Sequence, residues 1–202
     1  MPAPTPSQTI GPFYGYALPF RDGGEVAPPD HPDTITVHGR VYDGAGEPVP
    51  DALVETWQAA PDGSLAGQYG SLRRDPVTGG FLGRSGVDFT GFARVATDAD
   101  GHWVVRTLPP PAALPYVSLC LFARGLTHHL FTRAYVDGGA VDDAVLSALP
   151  GERRGTLVAR AEGPRRFRFD IRLQGPGETV FLEFAPSAPS ATSVTSTTRD
   201  EA

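Results

Sequence analysis

The chain has 202 residues, 40% hydrophobic and 20% charged, which is enough for one sizeable core in a soluble globular domain. Its net charge is −6 and its basic residues are all arginine, so nothing favours nucleic acid or an anionic membrane as partner. A single cysteine excludes an internal disulfide framework, and no apolar run approaches the roughly 20 residues that a transmembrane helix needs.

The 24 glycines and 21 prolines punctuate the chain with turns, which points to an all-β fold with long loops. Residues 1–33 have no regular period and read as an extended N-terminal arm. The start, "MPAPTPSQTIGPFYGYALPF", lacks a basic region followed by an apolar block, so it is not a secretory leader, and a reducing, cytoplasmic setting is expected. Ile10, Phe13, Tyr14, Tyr16, Leu18 and Phe20 give the arm more apolar surface than a disordered tail carries, so it needs a surface to cover. "TITVHGRVYD" (34–43) alternates and is β-branched, so it predicts a strand; "ALVETWQAA" (52–60) predicts a second, with Trp57 as a core anchor. A Gly-rich loop follows from Pro61 to about Gly91. Residues 92–108 read as a hairpin turning at Asp100-Gly101. "ALPYVSLCLFARG" (113–125) and "HLFTRAYVDG" (129–138) are the next two strands. Residues 140–149 predict the one short helix, with Val141, Val145 and Leu149 on one face. Phe167, Phe169, Ile171 and Leu173 alternate with charged residues, and 177–184 read as a last strand. These short strands imply an antiparallel β-sandwich over 34–184, followed by a disordered tail at 185–202.

The residue types offer little conventional chemistry. His31, His38, His102, His128 and His129 show no metal-ligand spacing and read as solvent-facing or singly satisfied. Cys120 sits among Leu119, Leu121 and Phe122, where an apolar setting makes a thiol inert. Arg124 stands apart. It ends an apolar strand and precedes Gly125, which lets the backbone turn and approach a ligand. A guanidinium there is exposed, paired with a protein carboxylate, or available to an anionic ligand. On the residues alone, the internal salt bridge is the first choice.

"TPSQTIGPFY" (5–14), "VHGRVYDGAGEPVPDALVETWQA" (37–59), "GFARVATDADGHWVVRTLPP" (91–110), "LFARG" (121–125) and "RFRFDIRLQGPGETVFLEF" (166–184) occur in order. Together they resemble the intradiol ring-cleavage dioxygenases, and within them the non-iron chain of the heteromeric members. Catalytic chains of that family hold Fe(III) through two tyrosines and two histidines, donors that suit this metal. The resemblance places those positions at Leu65, Ala113, Tyr116 and Ser118, so this chain is expected to bind no metal and to contain no catalytic residue of its own. It implies a partner: an iron-bearing beta subunit of the same fold, with 3,4-dihydroxybenzoate and dioxygen meeting at the interface. It also implies that Thr9, Gly11 and Pro12 of the arm line the partner's site, and that Arg124 meets the substrate carboxylate. Two other readings stand beside this one. The first is a non-enzymatic sandwich module resembling transthyretin; the second is a self-sufficient dioxygenase with displaced ligands.

Overall fold

The structure is a computed structural model that describes residues 9, 11, 14–65, 72–84, 88–136 and 143–184. Among the described residues, eleven strands form two main sheets and a small hairpin. In the first sheet, β1 (Ile35–Tyr42) pairs along one edge with antiparallel β6 (His102–Thr107). Its other edge takes β10 (Arg166–Arg168) and then β11 (Ile171–Arg172), both parallel, and β9 (Arg160–Gly163) pairs with β10. The second sheet has the order β5 (Phe92–Ala96), β2 (Leu53–Trp57), β7 (Tyr116–Phe122), β8 (Leu130–Tyr135), all antiparallel. β3 (Leu72–Arg74) and β4 (Phe81–Arg84) pair only with each other.

Period-two alternation places the core. Ile35, Val37 and Val41 of β1 and Trp103 and Val105 of β6 face Val54, Ala93, Val117, Leu119, Leu121 and Ala134 of the other sheet. Phe169 and Ile171 join them, so the predicted alternation of that segment is the observed one. The two-sheet sandwich is the expected architecture; the parallel pairing of β1 with β10 and β11 comes from a crossover that sequence periodicity does not encode. Gly39 makes that crossover possible. A Cβ there would overlap the Phe169 carbonyl, and the Phe169 N–H bonds the His38 carbonyl at 2.7 Å.

Several local expectations need correction. Trp57 is 39% exposed, because it shares the outward face of β2 with Glu55; Trp103, at 1%, is the core tryptophan. Residues 92–108 are not a hairpin. Asp98 and Gly101 close a tight turn with Gly101 at φ 70°, but β5 and β6 leave it into different sheets. The Gly-rich 61–91 stretch contains the β3–β4 hairpin. The segment 177–184 forms one bridge, Leu182 to Phe131, and otherwise caps the free edge of β8 through Thr132, whose hydroxyl donates to the Val180 carbonyl at 2.8 Å.

Helices are short: α1 (Tyr14–Ala17), α2 (Ala144–Ala148) and α3 (Gly151–Arg154). The predicted 140–149 helix is therefore shorter, and Leu146 is its buried residue; Val141 lies outside the described residues. The predicted tail at 185–202 also lies outside them. Leu146 joins Tyr135, Leu157 and Val180 in a second apolar cluster. The arm is in contact with the body from Tyr14 onward, and Val26 enters the main core. Among the described residues, no helix is long and apolar enough to cross a membrane.

Because only a glycine fits where β1 passes Phe169, Gly39→Ala is expected to destabilise the fold by about 1–3 kcal/mol. Guanidinium unfolding measures this directly, and an unchanged midpoint would contradict the close passage.

Candidate functional site

Arg124 lies just past the end of β7, before Gly125, whose φ of 90° turns the chain away. Its Nε donates to Asp51 Oδ2 at 2.5 Å, and its Nη2 pairs with the same oxygen. The Arg124 side chain is nevertheless 64% exposed, against 26% for Asp51. The internal ion pair expected from the residues alone is present, on a side chain that stays largely exposed. Asp51 sits in the connection from β1 to β2. Its carbonyl accepts a 2.6 Å hydrogen bond from the buried Tyr14 hydroxyl, which lies beside the Arg124 main chain. Burial, and then the Asp51 charge, push the Tyr14 phenol up to about 12, so it stays a donor.

Tyr14 belongs to the arm. Thr9 is exposed and Gly11 half-buried, with the Gly11 N–H 3.5 Å from the Thr9 hydroxyl; Pro12 lies outside the described residues. Gly11 is three residues from Tyr14, a span of at most about 11 Å. The arm and Arg124 are thus brought to one pole, joined at Asp51. The sequence singled out Arg124 and the arm, and nothing in it pointed to Asp51 or to the bond that Tyr14 makes there.

A second cluster lies on the outward face of β7 and β8. Arg133 stands opposite Ser118 in register, and its guanidinium carbon is 4.0 Å above the Tyr116 ring. It also reaches Tyr135 Oη at 3.3 Å and Asp143 Oδ2 at 3.5 Å. Tyr135 donates to Asp143 Oδ1 at 2.7 Å, and that oxygen caps α2 through the Val145 and Leu146 N–H groups. Burial raises the Tyr135 phenol to about 12. Burial also raises the Asp143 carboxyl, but bonds from Tyr135, Val145 and Leu146 and the Arg133 charge outweigh it and hold the group below its ordinary value.

Cys120 is half-buried, and burial followed by the Glu55 charge pushes its thiol up to about 11, the inert state expected of it. His38 departs from the sequence reading. It is buried at 6%, and its Nε2 lies 3.0 Å from both Glu162 Oε2 and Arg166 Nε, while Nδ1 is 3.3 Å from His102 Nε2. Burial and Arg166 lower its pKa. These partners come from β6, β9 and β10, so local sequence around His38 carried no sign of them.

A family profile described as dioxygenase matches residues 11–118. The protocatechuate 3,4-dioxygenase alpha chain of Burkholderia cepacia is 38% identical over 89% of this chain and 96% of its own length. The chain belongs to the intradiol ring-cleavage dioxygenase family. The protocatechuate 3,4-dioxygenase beta chain of the same organism is a more distant relative, 29% identical over 73% of this chain and 67% of its own. Among solved structures, the dioxygenase domain of a carbohydrate-binding fusion from Streptomyces sp. SirexAA-E shares the fold. It aligns with a TM-score of 0.51 and 24% identity over 86% of this chain and all of that one.

Enzymes of this family depend on non-haem iron, and the residues at the four positions that the resemblance assigns to its ligands do not fit it. Leu65, 57% exposed, and Ala113, also exposed, carry no donor atom. Ser118 offers only a neutral hydroxyl. Tyr116 has a guanidinium stacked on its ring, which places a positive charge beside any metal that approached it. Among the described residues, no three His, Cys, Asp or Glu side chains lie close enough to hold a metal ion.

Asp143 contributes stability that is complete above the ordinary carboxyl pKa of about 3.9 and is lost as the pH falls through its depressed folded value. Arg133→Ala removes one of the charges that lowers it. The variant is expected to lose on the order of 1–3 kcal/mol near neutral pH. Its acid-unfolding midpoint, followed by circular dichroism, should move to higher pH.

Proposed function

We propose that this chain is the non-iron alpha subunit of a heteromeric, cytoplasmic protocatechuate 3,4-dioxygenase. It pairs with an iron-bearing beta subunit of the same fold, and the shared site opens 3,4-dihydroxybenzoate with dioxygen to 3-carboxy-cis,cis-muconate. The observation that carries this reading is the 38% identity to an alpha chain over nearly the full length of both proteins. The donor-poor positions Leu65, Ala113, Tyr116 and Ser118 support placing Fe(III) in the partner, where it supplies the activation of the catechol toward dioxygen.

This chain's own share is binding and orientation. Arg124 offers the free end of its guanidinium to the substrate carboxylate, a pairing that arginine's planar fork favours. Thr9, Gly11 and Pro12 line the same pocket and exclude water from it. Fixing the carboxylate fixes the catechol hydroxyls at the far side of the ring, which converts binding energy into orientation.

Purified alone, the chain is expected to be colourless, with far less than one iron per chain by metal analysis. A stoichiometric ferric-tyrosinate absorbance would favour the self-sufficient dioxygenase. Co-expression with an iron-bearing homologue should give a stable, active complex, whereas a solitary monomer would favour the sandwich module. In that complex, Arg124→Ala should cost protocatechuate about 1.5–3 kcal/mol, roughly ten- to a hundredfold in kcat/KM. Catechol, which has no carboxylate, should lose much less; equal losses would make Arg124 structural.

A further inference from the structure

Arg124 presents two edges. The Nε–Nη2 edge is taken by Asp51 Oδ2, which leaves the Nη1–Nη2 end without a partner among the described residues, on a side chain that is 64% exposed. An ion pair this exposed is worth only about 0–1 kcal/mol of stability. A lone arginine side chain at a loop carries many rotamers, and freezing them costs about 2 kcal/mol. Asp51 meets that cost before any ligand arrives.

The same residue acts a second time through its main chain. The Asp51 carbonyl holds the Tyr14 hydroxyl, and the Arg124 main chain lies beside that hydroxyl. Asp51 precedes β2, whose Leu53 pairs with Phe122 of β7, so its own place is set by the sheet and not by a mobile loop. Three segments distant in sequence are therefore tied at one point: the arm, the entry to β2 and the exit from β7.

We infer that Asp51 is the positioning residue of this site, setting the guanidinium of Arg124 for a carboxylate ligand through its side chain and anchoring the arm through its carbonyl. The inference rests on the reading that Arg124 meets the substrate carboxylate. The two functions of Asp51 separate by substitution. Asp51→Asn keeps the carbonyl and loses the charge, so it disturbs Arg124 alone. Tyr14→Phe keeps the carboxylate and loses the arm's anchor.

The test uses the complex with the iron-bearing subunit and compares kcat/KM for 3,4-dihydroxybenzoate and for catechol. Asp51→Asn is expected to lower the ratio of the two about tenfold, mainly through KM for the carboxylated substrate, with the melting temperature nearly unchanged. Asp51→Glu, which keeps the charge, should recover most of that ratio. Tyr14→Phe should lower both substrates by a similar factor and leave the ratio as it was. If Arg124→Ala is selective for the carboxylated substrate but Asp51→Asn leaves the ratio at the wild-type value, the positioning role is wrong and the function stands. If Arg124→Ala is itself unselective, the functional reading fails first. Should Asp51→Asn fold poorly, an Asp51→Glu ratio equal to that of Arg124→Ala would also overturn the inference.

Discussion

At Gly39 the main chain of β1 passes the Phe169 carbonyl so closely that no side chain fits between them. That passage lets β1 hold β6 on one edge and the C-terminal strands β10 and β11 on the other. Without it the first sheet would lack the strands that carry Phe169 and Ile171 into the core. With that sheet complete, the opposite sheet can bury one face in the sandwich and leave the other to polar and aromatic side chains. The outward face of β5-β2-β7-β8 is where Trp57, Tyr116, Ser118, Cys120 and Arg133 all lie.

Three arginines in and beside this second sheet show how burial sorts similar groups into different roles. Arg94 pairs with Glu55 at 2.6 Å, with 23% and 21% of the two side chains exposed. Arg133 pairs with Asp143 and stacks on Tyr116, with 19% and 17% exposed. Both guanidinium groups are shut in by their partners and serve the protein itself. Arg124 is held by a carboxylate too, yet 64% of its side chain is open. Of these three arginines, Arg124 alone combines a held orientation with a largely exposed side chain, the combination that suits recognition of a carboxylate.

The Arg133 cluster shows how a part-buried carboxylate and two phenols on the outward side of β7 and β8 are balanced from within the chain. Here a guanidinium supplies positive charge, covers the Tyr116 ring and bonds Tyr135 and Asp143. Asp143 then has a structural task of its own as the cap of α2.

The sequence by itself determined most strands of the two main sheets, that the fold is a two-layer sandwich, and that Arg124 is the residue whose charge needs an explanation. Those properties depend on alternation and composition within a few residues, so local reading reaches them. The motifs along the chain also carried the family. Only the tertiary structure decided that Trp103 and not Trp57 is the core tryptophan, that β5 and β6 part into different sheets, and that 177–184 caps an edge instead of forming a strand. It alone supplied the partners of the charged groups: Asp51 for Arg124 across 73 residues, Glu162 for His38 across 124. A guanidinium or an imidazole accepts any suitably placed carboxylate, so nothing in its own neighbourhood names the partner. That choice is made when distant strands are brought side by side.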